Sequence, residues 1–258
     1  MNYGFHLATA GAITGMRRLD TVANNLANAT TVGFKADTLA LSARKPENLE
    51  QAGAYTDTNA LLDNLGGGTL FHPNMIDLSQ GALRETGQAL DLAIEGDGFL
   101  VLAQPKGSAS KDLLLTRSGA LTLDAKGTLV LANSGVPVLD EEGRTITLDG
   151  DSSPRVEPDG RVLQDGAEVA RLRLVVPNDV SQLAKEGRDA LRLRGGSVRS
   201  APESTRIVQG ALEESTVDPV AALAEMVRVS RGVEFSTRLM QMQDQMTGRL
   251  VDTFGRFA

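Results

Sequence analysis

The sequence predicts a mixed α and β fold. Two long terminal helices form an α-helical, coiled-coil-like domain, and a central all-β domain is built of short antiparallel strands. Two observations carry this. Residues from about Phe5 to Ala27, and from Pro219 to about Phe254, repeat apolar side chains at spacings of three and four, the period of one helical face. Between about Gly81 and Gln209, short apolar runs alternate with polar residues and are cut by Gly, Asp and Asn turns, the rhythm of a sandwich or irregular barrel. Long helices bracketing a β body suit a subunit that packs against other copies.

In the first helix Ile13, Met16, Leu19, Val22, Ala23 and Leu26 share a face, while Arg17, Arg18, Asp20, Thr21 and Asn24 fall largely off it. The helix should stop near Asn28. The β-branched run Thr30-Thr31-Val32 and then Gly33 favour an extended or turning chain. Residues 1–36 thus form an N-terminal unit. Residues 37–75, with Pro46, Gly53 and Gly66-Gly67-Gly68, read as a flexible connector.

The β texture spans residues 76–215. Leu90, Leu92 and Ile94 alternate with Asp91, Ala93 and Glu95. Gly96-Asp97-Gly98 then turns the chain into a strand from Phe99 to Leu102. Leu121 and Leu123 lead through a turn at Asp124–Gly127 to a returning strand, Leu129–Leu131. Val169–Val176 reads as one alternating strand closed by Pro177. The last helix, within residues 216–258, has the clearest start. Asp218 can cap it, and Pro219 suits the first helical position because its missing N–H would have no partner there. Val220, Leu223, Met226, Val227, Leu239, Met242, Met246 and Leu250 mark its apolar face. Arg228, Arg231, Arg238, Glu225, Glu234 and Asp244 mix signs along it, as on a solvated flank.

Composition narrows the function. The net charge is -7, against the basic face of a nucleic-acid binder. No Cys is present, which removes disulfides, thiolate nucleophiles and Cys-based zinc sites. Aromatics are 3% with no Trp, a poor basis for base or sugar stacking. No apolar window approaches the ~18 residues of a membrane span. The N-terminus lacks the basic start and apolar run of a cleaved signal.

The search for chemistry returns little. Two histidines, His6 and His72, are the only candidates for a triad base, and no G-x-S-x-G elbow accompanies them. Ser42 to Lys45 and Ser108 to Lys111 have S-x-x-K spacing without supporting motifs. Acidic turns at 95–98, 140–142 and 149–151 lack EF-hand spacing. Catalytic residues, metal ligands and cofactor-binding residues are therefore expected to be none, and the chain is expected not to be an enzyme.

Leu19–Lys35 (LDTVANNLANATTVGFK) resembles the N-terminal signature of the flagellar basal-body rod and hook proteins. Thr86–Phe99 (TGQALDLAIEGDGF), Thr116–Val130 (TRSGALTLDAKGTLV) and Gln209–Val217 (QGALEESTV) with Pro219 and Arg231–Phe235 resemble, in order, that family's central motif, the hairpin after it and its C-terminal signature. Departures are Leu115 and Leu121 where the family usually has aromatics, and Ser215-Thr216-Val217 for Ser-Asn-Val. Val156–Arg194 resembles proximal rod members best and distal rod members next.

The resemblance implies a structural subunit of the rod, polymerising through its terminal helices to carry torque. A distal rod or hook subunit is the alternative within the family. A peptidoglycan-acting enzyme at the rod, or a Ca²⁺-dependent adhesin, is the alternative outside it. Implied partners are other copies of the chain, other rod and hook proteins and the flagellar export apparatus, with no nucleic acid and no membrane span. The implied location is the periplasmic rod of the basal body, reached without a cleaved signal. The expected assembly interface comprises Met16, Leu19, Val22, Asn24, Asn25, Leu26, Asn28 and Phe34 near the N-terminus. From the last helix it adds Val220, Leu223, Val227, Leu239, Met242 and Met246.

Overall fold

The computed structural model describes residues 3–43, 68–104, 112–150 and 153–255. Two helices and a series of short strands account for it. Helix α1 runs Tyr3–Ala27 and helix α2 runs Pro219–Gly255. The chain divides into two compact units. A helical unit takes residues 1–26, 37–75 and 219–258, and a β unit takes residues 27–36 and 76–218.

In the helical unit α1 stops next to Asn28 and α2 starts at Pro219, as the turn and cap residues require. The Asn25 side chain clamps the returning backbone at Asp37. Its Nδ2 donates to the Asp37 carbonyl at 2.8 Å, and the Asp37 N–H donates to its Oδ1 at 2.9 Å. The described parts of the expected connector are not featureless. Leu41–Ala43 pairs antiparallel with Thr69–Phe71, and the Arg17 guanidinium lies 5.4 Å from the Phe71 ring centre. Gly66, Gly67 and the other residues of 44–67 lie outside the described residues.

The β unit is organised around a six-stranded antiparallel sheet. Its spatial order is Leu183–Glu186, Ala190–Leu193, Leu113–Thr116, Phe99–Leu102, Leu174–Pro177, Val198–Ser200. Both faces of this sheet are covered. Leu100, Leu102 and Leu114 join a large core with Leu92, Ile94, Leu131, Ile146, Val162 and Ile207. Phe99, Val101, Leu115, Val175, Leu191 and Leu193 build a second core on the other face. Two-sided burial explains why Phe99–Leu102 reads as a continuous apolar run. The Leu121–Leu123 and Leu129–Leu131 pair forms as expected, with Leu123 opposite Leu129.

Two strand expectations are corrected. The Gly96-Asp97-Gly98 turn does not join paired neighbours. Leu92–Glu95 pairs with Arg206–Gln209, whereas Phe99–Leu102 pairs with Leu113–Thr116 and Leu174–Pro177, so the turn passes the chain between sheets. The stretch 169–176 is two strands, Ala167–Arg171 and Leu174–Pro177, in different sheets. Between them Leu172 drops into the larger core, and its N–H donates to the Gly160 carbonyl at 2.8 Å. Alternation of side chains cannot reveal such a switch, because the period continues across it.

Leu115 is fully buried on a central strand. Leu115→Ala should lower the stability of the protein by about 2–5 kcal/mol through lost burial and a residual cavity. Urea unfolding followed by circular dichroism measures it, with Val180→Ala, at an exposed site, as the unchanged reference.

Candidate assembly surface

The two long helices lie antiparallel against one another. Small residues of α1 face α2 directly. A Cβ added at Gly4 would meet the Gln243 side chain, one at Gly11 would sit 3.3 Å from Ser236 Oγ, and one at Gly15 would sit 2.6 Å from Val233 Cγ2. Ala8 and Ala12 share this face and are buried, as is Val229 on α2. Thr9 Oγ1 lies 3.3 Å from Met240 Sδ, and Arg18 pairs with Glu225 at 2.6 Å. The α1 side of the seam is therefore made of glycine and alanine, which lets the larger α2 residues pack close to its backbone.

The large apolar residues lie elsewhere. Phe5, Leu7, Ile13 and Met16 on α1 are exposed, as are Val220, Leu223, Val227, Phe235, Met242, Met246 and Leu250 on α2. At 100° per residue the exposed α2 set occupies the side of the helix away from Glu225, Val229, Val233, Ser236 and Met240. A helix that buries its small residues and shows its large ones has a second face requiring cover.

A different construction holds the segment that follows α1. Residues 28–36 are part of the β unit. Asn28 receives the Thr31 N–H on its carbonyl at 3.1 Å and the Thr31 hydroxyl on Oδ1 at 3.2 Å, which closes the turn. Gly33 adopts φ +66°, and a Cβ there would come within 2.5 Å of the Arg117 and Ser118 backbone. Only glycine meets both demands. Phe34 is buried, with the Lys185 ammonium 3.8 Å from its ring centre.

Lys35 reaches the centre of the unit. Its Nζ lies 2.6 Å from Glu213 Oε1 and 2.5 Å from the Ser79 carbonyl. Glu213 has no exposed surface. Its Oε1 also accepts the Gly81 N–H at 2.8 Å, and its Oε2 accepts Arg117 Nε at 2.6 Å. Arg117 spends its other donors on the carbonyls of Gly98, Gly96 and Ile94 at 2.5, 2.6 and 3.0 Å. Five separated segments (residues 33–35, 79–81, 94–98, 116–118 and 210–213) thus meet around one carboxylate. Burial pushes the Lys35 pKa below its ordinary value, and the hydrogen bond and charge of Glu213 pull against that shift.

The expected interface residues divide among these surroundings. Met16, Val220, Leu223, Val227, Met242 and Met246 are exposed and apolar. Leu19, Val22, Leu26 and Leu239 are half-buried, and Leu19, Val22 and Leu26 continue the glycine–alanine face of α1. Asn24 is exposed, and Asn25 clamps Asp37. Asn28 and Phe34 are buried within the β unit. The network at Glu213 was missed by sequence reasoning. The available signal was Lys35, Arg117 and Glu213, a charged residue in each of three of the motifs quoted above.

Candidates for chemistry stay dispersed. His72 Nε2 lies 2.8 Å from Ser42 Oγ at an exposed site, and among the described residues no third side chain orients the ring. His6 is exposed on α1, edge-on to Phe5. Lys45 and Ser108–Lys111 lie outside the described residues. Among the described residues no group of three His, Cys, Asp or Glu is placed to hold a metal, and no helix is long and apolar enough to cross a membrane.

Three family descriptions match successive parts of the chain. "Flagella basal body rod protein" covers residues 7–35, "Flagellar hook protein FlgE/F/G D1 domain" residues 93–184, and "Flagellar basal body rod FlgEFG protein C-terminal" residues 208–253. Over 257 residues the chain is 31% identical to the flagellar basal-body rod protein FlgF of Caulobacter vibrioides, covering 99% of each. It is 30% identical to FlgF of Salmonella typhimurium, covering 96% of this chain and 97% of the relative. With the rod protein FlgG of Bacillus subtilis it shares 29% identity over 93% of this chain and 96% of the relative.

Glu213→Gln should destabilise the protein by about 3–5 kcal/mol, because Lys35 and Arg117 remain buried without their counter-charge. Glu214→Gln, in an exposed pair with Arg84, should cost well under about 1 kcal/mol. Chemical denaturation of the two variants distinguishes them. A second expectation concerns pH. With a lowered folded pKa, Lys35 binds fewer protons than in the unfolded chain between that value and its ordinary 10.5, so its contribution makes stability rise with pH there. The stability of the wild type relative to Lys35→Met should climb across that alkaline window. A flat difference would show the ammonium is not penalised by burial.

Proposed function

We propose, on the premise that this chain belongs to the flagellar basal-body rod protein family, that its terminal helices are the polymerising element of a rod subunit. The chain is a structural rod protein, part of the flagellar basal body. It works without catalysis. The observation that carries the assembly reading is the set of large apolar side chains left uncovered on both helices, away from the seam between them.

Neighbouring copies cover these faces. Met16 on α1 and Val220, Leu223, Val227, Met242 and Met246 on α2 make coiled-coil-like contacts between subunits. Leu19, Val22, Leu26 and Leu239 extend the contact at its flank, with Asn24 at its polar rim. Each large side chain fully buried adds about 1.5–3 kcal/mol, less when partly covered. Association costs on the order of 4–15 kcal/mol, so several such residues must be covered together. Asn25, Asn28 and Phe34 serve the same end indirectly, by fixing the chain after α1. A head-to-tail contact that does not close yields a filament.

Residues 1–36 and 216–258 act as the rod core, 76–215 as the central domain and 37–75 as the connector. Torque passes along the filament because packed interfaces resist shear. The position is that of a proximal, FlgF-type subunit, favoured by full-length relatives of that name. The distal, FlgG-type position is the second reading, supported by a relative of nearly the same identity. Partners are further copies, other rod and hook proteins and the flagellar export apparatus. Export proceeds without a cleaved signal into the periplasmic part of the motor.

A double substitution, Leu223→Asp with Met246→Asp, places charge on the exposed face without touching the seam. The purified variant should melt as the wild type does, yet be absent from isolated basal bodies and leave cells non-motile. Normal swimming with this variant would count decisively against helix-mediated assembly.

A further inference from the structure

The β unit carries an open groove of about 820 Å³ on which four arginines converge: Arg171, Arg173, Arg199 and Arg206. Glu141, Asp159 and Glu203 line it too, which leaves the arginines in excess by one in a chain of net charge -7. Their pairing is incomplete. Arg171 reaches Asp159 at 3.2 Å and Glu141 at 4.0 Å, but its Nε is buried with no acceptor. Among the described residues no carboxylate forms an ion pair with Arg173, Arg199 or Arg206, although Glu203 also lines the groove. A buried donor without a partner is costly unless something else accepts from it.

The groove also takes in an edge strand. Among the described residues Val198–Ser200 pairs only with Leu174–Pro177 and ends the six-stranded sheet. The Ala201 and Asn178 N–H bonds to the carbonyls of Leu174 and Ser197 set the alternation of this ladder. The N–H and carbonyl groups of Val198 and Ser200 therefore point away from it, outward from the sheet. Val198, Arg199 and Ser200 of this edge strand line the groove, as do Leu174 and Val175 of the strand beside it.

We propose that this groove binds an extended, carboxylate-rich segment of a partner protein. The segment adds as a strand at Val198–Ser200 and sets acidic side chains against Arg173, Arg199 and Arg206. The volume suits several residues, far more than a single small anion. Binding here is independent of whether the helices polymerise, so its failure would leave the rod reading untouched.

Isothermal titration of the full chain with a synthetic peptide of alternating Thr and Glu, about six residues long, tests this at low ionic strength. A Thr/Lys peptide serves as the control. Saturable binding is expected, weakening as salt is added. Loss should be roughly tenfold for each arginine replaced in the series R199Q, R199Q/R206Q and R173Q/R199Q/R206Q. Thermal melting of the variants verifies that they fold. The proposal is overturned if no Thr/Glu peptide binds, or if the folded triple variant binds as tightly as the wild type. It is equally overturned if inorganic phosphate at equal concentration displaces the peptide completely, which would mark an isolated anion site.

Discussion

The Glu213 carboxylate, gripped by Lys35 and Arg117, is the contact on which the β unit depends. Two cations and one anion out of water form a costly arrangement, and desolvation alone would disfavour it. It stands because nearly every donor is used. Gly81 adds an N–H to the carboxylate, Ser79 accepts from the ammonium, and three carbonyls between Ile94 and Gly98 take the remaining guanidinium donors. Those carbonyls belong to the end of the strand Leu92–Glu95 and to the turn that passes the chain from one sheet to another. The network therefore fixes a sheet crossing and the docking of residues 33–35 at once. An apolar core at the same place would tolerate sliding. A charge cluster does not, because displacement by one residue strands an ion.

Helix α1 divides its surface by side-chain size. Glycine in a helix weakens it by roughly 1 kcal/mol relative to alanine, and α1 carries three glycines on one face. That loss is offset by close approach to α2, where the glycines meet Gln243, Ser236 and Val233. Leucine at those positions would hold the helices apart and bury part of the apolar stripe inside the chain. Small residues within keep Met16, Leu223 and Met246 without, where a neighbour can reach them.

The helices were legible because their period is long and repeated. Residues such as Leu223 and Met246 could be assigned to an apolar face from spacing alone. Spacing could not say which neighbour covers that face. Ile13 and Met16 share the sequence stripe with Leu19 and Leu26, yet the first two are exposed and the second two half-buried. The strand runs were also legible, but not their partners. Pairing depends on contacts distant in sequence, as between Leu92–Glu95 and Arg206–Gln209. The strand switch at Leu172 left no mark, since alternation continues through it. Residues at Glu213 escaped for a related reason. The first of two adjacent glutamates, Glu213 reads as a surface position until the fold brings two cations to it.

These features bear jointly on the proposed mechanical role. A subunit that carries load must keep its interface rigid and its interior in one register. The segment from Asn28 to Lys35 follows α1 in the chain and belongs to the β unit. It is held by different means at successive residues: a side-chain turn at Asn28, a steric demand at Gly33, a ring buried at Phe34 and an ion network at Lys35. No two of these share a failure mode. Heat weakens the charge network least, because the hydration of ions becomes less favourable as temperature rises. Salt leaves the apolar burial of Phe34 intact. A segment held by such unlike restraints keeps its place in the β unit over a wider range of conditions than one held by any of them alone.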